Sequence, residues 1–210
     1  MNILAIECSR PQASLCLHNG REYISDSAWQ AERNHDQHLF PALSQALRAL
    51  GDAPLDLILI GAGPGSYGGV RVALAAAVGI ATVRKSQMVA ICSWDSLAED
   101  GQAIISDAKR GGWTIRRSNG TIEVLTREAL LREIETGLKV CSIEDAQFLQ
   151  KHNIPAEKCG LVPTARGLVA SWLTCTPEQQ KELAARAPEP IYVRPPHITE
   201  AKRKPWEVKH

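Results

Sequence analysis

A chain of 210 residues with 44% apolar content has enough hydrophobic surface to bury an ordinary core, as one domain or two small ones. Its formal net charge of +1 excludes, on global charge, a strongly basic nucleic-acid binder or a membrane-surface protein. Six cysteines (Cys8, Cys16, Cys92, Cys141, Cys159, Cys175) form no C-x-x-C pair, so neither a zinc ribbon nor a dithiol redox motif is written, and they are expected as reduced, partly buried small residues.

In chain order, Asn2 to Glu7 and Ala13 to His18 read as strands, and Asn19-Gly20 as a hairpin turn into a third strand near Arg21 to Ser25. A helix follows with an apolar stripe of Leu39, Leu43, Ala46, Leu47 and Leu50, ended by Gly51. At its start His35 and His38 stand three apart. As a metal pair they lack a third ligand, so surface or cap histidines are expected and no metal site is assigned. Next come a strand Leu57 to Gly61, a glycine-dense turn, an apolar helix to about Lys85, a strand Met88 to Cys92 and a short helix near Asp95 to Glu99.

The second half restarts the theme. Ala103 to Asp107 and Trp113 to Arg116 read as strands, Asn119-Gly120 as a hairpin turn and Thr121 to Leu125 as its return. A helix Thr126 to Thr136 is capped by Thr126 and stopped by Gly137, Leu138 to Cys141 is a further strand, and Glu144 to His152, Arg166 to Leu173 and Pro177 to Ala187 read as helices. Two lobes that each open on a hairpin meander imply an internally duplicated α/β fold with a cleft between them. The lobes are set at residues 1–102 and 103–193, with a basic tail at 194–210 that includes Lys202, Arg203, Lys204 and Lys209 and is expected to be solvated. The N-terminus lacks the basic and long apolar segments of a signal peptide, and no run reaches the roughly 20 apolar residues of a membrane span, so a cytoplasmic protein without membrane contact is expected.

The glycine turn (Gly63, Pro64, Gly65, Ser66, Tyr67, Gly68, Gly69, Val70, Arg71) is where the backbone is built for close approach, by an anion, a nucleotide phosphate or a protein loop. It is not a P-loop, because no Lys and Ser or Thr follow Gly68. Gly63, Gly65 and Gly68 match the dinucleotide pattern G-x-G-x-x-G, which keeps a Rossmann-type oxidoreductase open as an alternative, although no acid stands about 20 residues on and doubly wound domains do not begin with a three-strand meander. The helix after it reads V-A-L-A-A-A-V-G-I-A-T-V from Val72 to Val83, uncharged on every face. It should be covered all round, either within its own domain or by a subunit interface.

These residues resemble the TsaB (YeaZ) family of tRNA threonylcarbamoyladenosine (t6A) biosynthesis subunits. The turn resembles that family's G-P-G-S-F-T-G-V-R, Ile3 to Ser9 its opening I-L-A-I-D-T-S, the His35 to Pro41 segment its H-x-x-x-L-L-P, Asp107-Ala108-Lys109-Arg110 its D-A-R-R, and Glu189 to Arg194 its closing P-x-Y-L-R. Departures are Glu7 and Cys8 for Asp and Thr, Gly68 for Thr, and Gly112 for a usual Glu. The resemblance implies an actin, hexokinase and Hsp70-type fold in two duplicated lobes, and a non-catalytic subunit. It would pair with the catalytic TsaD and the ATPase TsaE, so that threonylcarbamoyl reaches N6 of adenosine 37 of tRNA, with a homodimer when TsaD is absent. The metal-binding H-x-x-x-H of TsaD has no counterpart in Val89 to Leu97, so no catalytic residue is assigned here. A second alternative, a glycoprotease-like peptidase, would need a metal cluster or a nucleophile and base, and neither is visible. No tightly bound cofactor is implied, with ATP or ADP placed at the TsaD interface and tRNA reached through the complex; a phosphate contact by the basic tail is the lesser alternative to a solvated one. The implied partner interface is Leu39, Leu43, Leu47, Val70, Ala73, Leu74, Ala77 and Ile80.

Overall fold

The computed structural model describes residues 1–31, 34–97 and 101–193; the basic tail, with Arg194 of the closing motif, lies outside the described residues. Strands β1 (Ile3–Glu7), β2 (Gln12–His18) and β3 (Tyr23–Gln30) form an antiparallel meander, followed by helix α1 (His35–Leu50), strand β4 (Leu57–Gly61), helix α2 (Tyr67–Arg84) and strand β5 (Gln87–Ile91). Because β4 pairs parallel with β1 and β5 with β4, the sheet runs β3-β2-β1-β4-β5. The third strand extends five residues past its expected end. It lies at the sheet edge with half-buried and exposed positions, so it lacks the apolar alternation that would reveal its length.

After a 3₁₀ turn (Ser93–Ser96), the same order recurs in β6 (Ala103–Asp107), β7 (Gly112–Arg116), β8 (Ile122–Thr126), α3 (Arg127–Glu135), β9 (Val140–Ser142) and α4 (Ala146–His152). The second sheet runs β8-β7-β6-β9, with β6 and β9 parallel, and is thus a copy of the first without its fifth strand. Thr126 caps α3 by accepting from the backbone N–H of Ala129 at 3.2 Å, as its sequence position predicts.

The last two helices depart from the expected lobe boundary. α5 (Ala165–Thr174) and α6 (Pro177–Ala185) pack on the first sheet, not the second. Ala165, Leu168, Val169 and Trp172 cover Ile3, Ala5, Leu57, Leu59, Val89 and Ile91, while α1 and α2 cover the other face through Leu4, Ile6, Leu15, Leu17, Ile58 and Ile60. A strand buried on both faces reads as a continuous apolar run, and β1 (ILAIE) and β4 (LILIG) do so. Two polar ties register the return: the Ala165 N–H donates to Ser14 Oγ at 2.8 Å, and Arg166 Nε to Asp26 Oδ2 at 2.5 Å. Trp172→Ala is therefore expected to cost about 3–5 kcal/mol, read as a lower urea midpoint, because it opens a cavity on the central strands. An unchanged midpoint would show that α5 does not hold the first sheet.

Helix α2 is 18 residues long and, by length and composition alone, apolar enough to cross a membrane. It is instead seated on the sheet by Gly69, Val70, Ala73, Ala76 and Ala77. Of the two covers expected for it, its own domain supplies only one: its other side is open, with Val78 48% and Val83 79% exposed.

Candidate functional site: a packed glycine turn and an open helix groove

The glycine turn joins β4 to α2, and what approaches it is this chain's own β1–β2 connection. A Cβ on Gly69 would overlap the carbonyl oxygen of Cys8, and one on Gly65 that of Ser9. The Ser66 N–H donates to the Ser9 carbonyl at 2.6 Å, and Ser66 Oγ caps α2 by accepting from the Gly69 N–H at 3.2 Å. Gly63 takes φ +87°, where glycine avoids the Cβ clash, precedes a cis bond to Pro64, and donates its N–H to Ser93 Oγ at 3.0 Å. Gly68 faces open space. Two of the three glycines of the dinucleotide pattern, Gly63 and Gly65, are thus spent on internal bonding and packing, and the antiparallel β1–β2–β3 meander is not a doubly wound parallel sheet. The Rossmann alternative is set aside on both grounds.

Glu7 ends β1 beneath this turn. Read as an exposed strand end it would be solvated, but it is wholly buried, with Oε1 accepting the Ser9 N–H at 2.6 Å and Gly61 leaving room for its other oxygen. Burial pushes its pKa above the ordinary 4.5, opposed by the hydrogen bonds from Ser9. Since the folded state holds the proton more tightly than the unfolded one, Glu7 lowers stability as pH rises above 4.5 towards its folded pKa. Glu7→Gln keeps the acceptor for Ser9 and loses that dependence. Its stability relative to the parent is expected to be higher at pH 8 than at pH 5 in chemical denaturation, and a parallel pair of pH profiles would refute the assignment.

His35 and His38 do not share a face. His35 is 4% exposed and lies against Gly69, where burial holds its pKa below the usual imidazole value, while His38 is exposed. Among the described residues no three His, Cys, Asp or Glu side chains converge as a metal site would require. Burial also raises the thiols of Cys16 and Cys92 to about 12, which leaves them unreactive at neutral pH.

The first lobe borders two large concavities. One, about 490 Å³, opens between the lobes beside Pro64, Gly65, Ser66 and Tyr67 and is bridged by Arg10, whose Nη1 lies 3.9 Å from Glu144 Oε1 and whose Nη2 donates to the Ile143 carbonyl at 3.4 Å. The other is a groove of about 820 Å³ between α1 and α2, lined by Phe40, Leu43, Leu47, Val72, Ala75, Ala76, Gly79 and Ile80, with Asp36, Arg48 and Arg84 at its rim. An apolar floor with a charged rim is the anatomy of a protein interface.

The groove redistributes the sequence-derived interface set. Leu39, Val70, Ala73 and Ala77 are buried in the core, and Leu43 is 5% exposed at the groove floor. Leu47 and Ile80 line the groove, while Leu74 is half-buried on the core side. The surface residues that sequence reasoning missed are Phe40, Val72, Ala75, Gly79 and Val83. An all-apolar helix gives no moment to tell its faces apart, but Ala75 and Gly79, four apart and without bulk, were the available signal.

A family model described as TsaD, tRNA N6-adenosine threonylcarbamoyltransferase, matches residues 29–158. The tRNA threonylcarbamoyladenosine biosynthesis protein TsaB of Bacillus subtilis is 32% identical over 119 residues, covering 53% of this chain and 52% of that protein, so the match spans about half the length of that curated relative. Two solved structures from Pseudomonas aeruginosa are similar throughout: an uncharacterized protein with similarity to peptidase YeaZ (TM-score 0.68, 21% identity, covering 92% of this chain and 99% of that one) and YeaZ (TM-score 0.62, 20% identity, 91% and 99%). At that identity they speak for the fold alone, an α/β fold with two mixed sheets, consistent with the actin, hexokinase and Hsp70 type that the sequence resemblance implies. With a family match over well over half of its residues, the chain belongs to the family that the TsaD model describes, and it is similar to TsaB in sequence and to YeaZ in fold.

Proposed function

We propose that this protein is a non-catalytic subunit of the machinery that places threonylcarbamoyl on N6 of adenosine 37 of tRNA, docking a TsaD-type transferase through the α1–α2 groove. The observation that carries the reading is the groove itself: Phe40 is 56% exposed at its edge, and Ala75 and Gly79 leave room for a partner helix to approach closely. Burying such a surface stabilises the complex at roughly 25 cal/mol per Å² of apolar area, less the cost of association. The metal-ligand pattern of TsaD has no counterpart in the strand and turn from Val89 to Leu97, which supports a chain that leaves the transfer to its partner. The same groove would hold a second copy of the chain when the transferase is absent. The ATPase TsaE, tRNA and ATP or ADP at the shared interface are read as belonging to the assembled complex in the cytoplasm.

The experiment is nucleoside mass spectrometry of bulk tRNA from cells depleted of this protein, with an unrelated modification as reference. Selective loss of threonylcarbamoyladenosine is expected, restored by the parent gene. An unchanged level would remove the chain from the pathway and leave the family membership as a statement about fold.

A further inference from the structure

A smaller cavity of about 270 Å³ lies where the two lobes and the returning C-terminal segment meet. The first sheet contributes Ile91 at the end of β5 and Ala62 just after β4, the β7–β8 hairpin of the second lobe contributes Arg116 and Ile122, and the rest comes from Leu183 of α6 and the extended residues after it. Ile191 lines both this cavity and the inter-lobe concavity beside the glycine turn, so the extended segment stands between the two. It is held there by the Ile191 N–H, which donates to the Ala62 carbonyl at 2.8 Å.

The charged groups around this cavity are unevenly satisfied. Arg116, its side chain 11% exposed, holds Asp95 Oδ1 at 2.5 Å through Nη2 and donates Nη1 to the Arg117 carbonyl at 3.2 Å. Its Nε–H is buried and has no acceptor among the described residues. A donor buried without an acceptor forfeits the hydrogen bond that water gave it in the unfolded chain, and the loss is larger for a charged group. Arg186 is tied to Glu182 one helical turn back. Glu189, exposed at the edge of the cavity, has no ion-pair partner among the described residues. Once the internal pairs are made, the cavity therefore keeps a guanidinium short of an acceptor, a carboxylate short of a counter-charge, and an aliphatic lining of Ile91, Ile122, Leu183 and Ile191.

We propose that this cavity binds a free aliphatic α-amino acid, with its carboxylate on the Arg116 guanidinium, its ammonium on Glu189 and its side chain against the aliphatic lining. A simple carboxylate would leave Glu189 uncompensated and bring a second anion towards Asp95, while a simple amine would leave Arg116 short of its acceptor. A ligand that carries both charges answers both. The volume falls below the roughly 300–1,000 Å³ of drug-sized sites, which suits a single amino acid and is cramped for a nucleotide. The site is distinct from the α1–α2 groove and does not rest on the function proposed above.

Calorimetric titration of the full chain with L-leucine at neutral pH is the test. Saturable one-site binding is expected, with Kd between about 1 μM and 1 mM. Isocaproate, which lacks the ammonium, and isoamylamine, which lacks the carboxylate, are each expected to bind at least about 10-fold more weakly. Glu189→Gln should weaken leucine at least about 5-fold. Ala187→Trp, at an exposed lining position, should abolish binding by filling the cavity, and both variants should melt with the parent in the absence of ligand. No binding of leucine up to about 10 mM would overturn the proposal. Equal binding of isocaproate would overturn it in favour of an anion site, equal binding of isoamylamine in favour of an amine site, and undiminished binding by a folded Ala187→Trp would place the ligand elsewhere. These outcomes are independent of the threonylcarbamoyladenosine level in depleted cells, so either reading can fail while the other stands.

Discussion

Ala77→Arg is expected to unfold the protein, and Gly79→Arg, two residues further along the same helix, to leave it folded while abolishing association with the TsaD-type partner proposed above. Ala77 has no exposed surface and lies in the core cluster beneath α2. A guanidinium there must either displace packed side chains or stay charged and unpaired in an apolar layer, at a cost of about 3–5 kcal/mol or more. That is a large share of the roughly 5–15 kcal/mol that holds a domain of this kind together. Gly79 lines the groove and a Cβ there meets no neighbouring atom within 4 Å. Replacing a helix-interior glycine with Arg should add about 0.5–1 kcal/mol of stability, yet the same side chain fills the space a partner helix would occupy. Thermal melts with size-exclusion chromatography of each variant, alone and mixed with a TsaD-type protein, separate the two. A folded Ala77→Arg would overturn the assignment of faces, and normal co-elution of Gly79→Arg would overturn the groove as the docking surface.

The second large effect is expected at Gly69, where an alanine is the smallest change available and still too big. The added methyl would overlap the carbonyl oxygen of Cys8, a backbone atom directly after β1, the strand locked between β2 and β4. Relief requires moving the N-terminus of α2 away from the β1–β2 turn, which also breaks the Ser66 to Ser9 bond. The expected loss is at least about 3 kcal/mol, roughly 6–12 °C in melting temperature for a chain of this size. Gly68→Ala, one residue earlier and in open space, is the control and should melt within a degree or two of the parent. Equal melting of both variants would show that the turn is not braced by the first hairpin.

Much of this architecture was legible because its signals are local. The hairpin turns at Asn19-Gly20 and Asn119-Gly120, the apolar runs of β1 and β4, and Thr126 ahead of α3 each placed the start of an element within a residue or two. What could not be read were the relations across long separations. Nothing near Ala165 states that its helix will lie on Ile3 and Leu59, and the bulk that demands a glycine at position 69 belongs to Cys8, 61 residues away in the chain. Glu7 shows the same limit. A carboxylate at a strand end is ordinarily solvated, and only the arrival of Gly61 and Ser93 makes it a buried one.

The return of α5 and α6 to the first sheet also sets an order in time. A ribosome that has finished β5 has made every strand of that sheet, but the helix that shields Ile3, Ala5, Leu57, Leu59 and Val89 begins only at Ala165. At typical elongation rates that interval lasts on the order of 4–15 s. During it the nascent sheet presents a bare apolar face, and the first lobe cannot be a finished object however early its own residues emerge. A chain cut short within the second lobe would therefore lose the first as well, so the earlier half of this protein matures only when the later half is delivered.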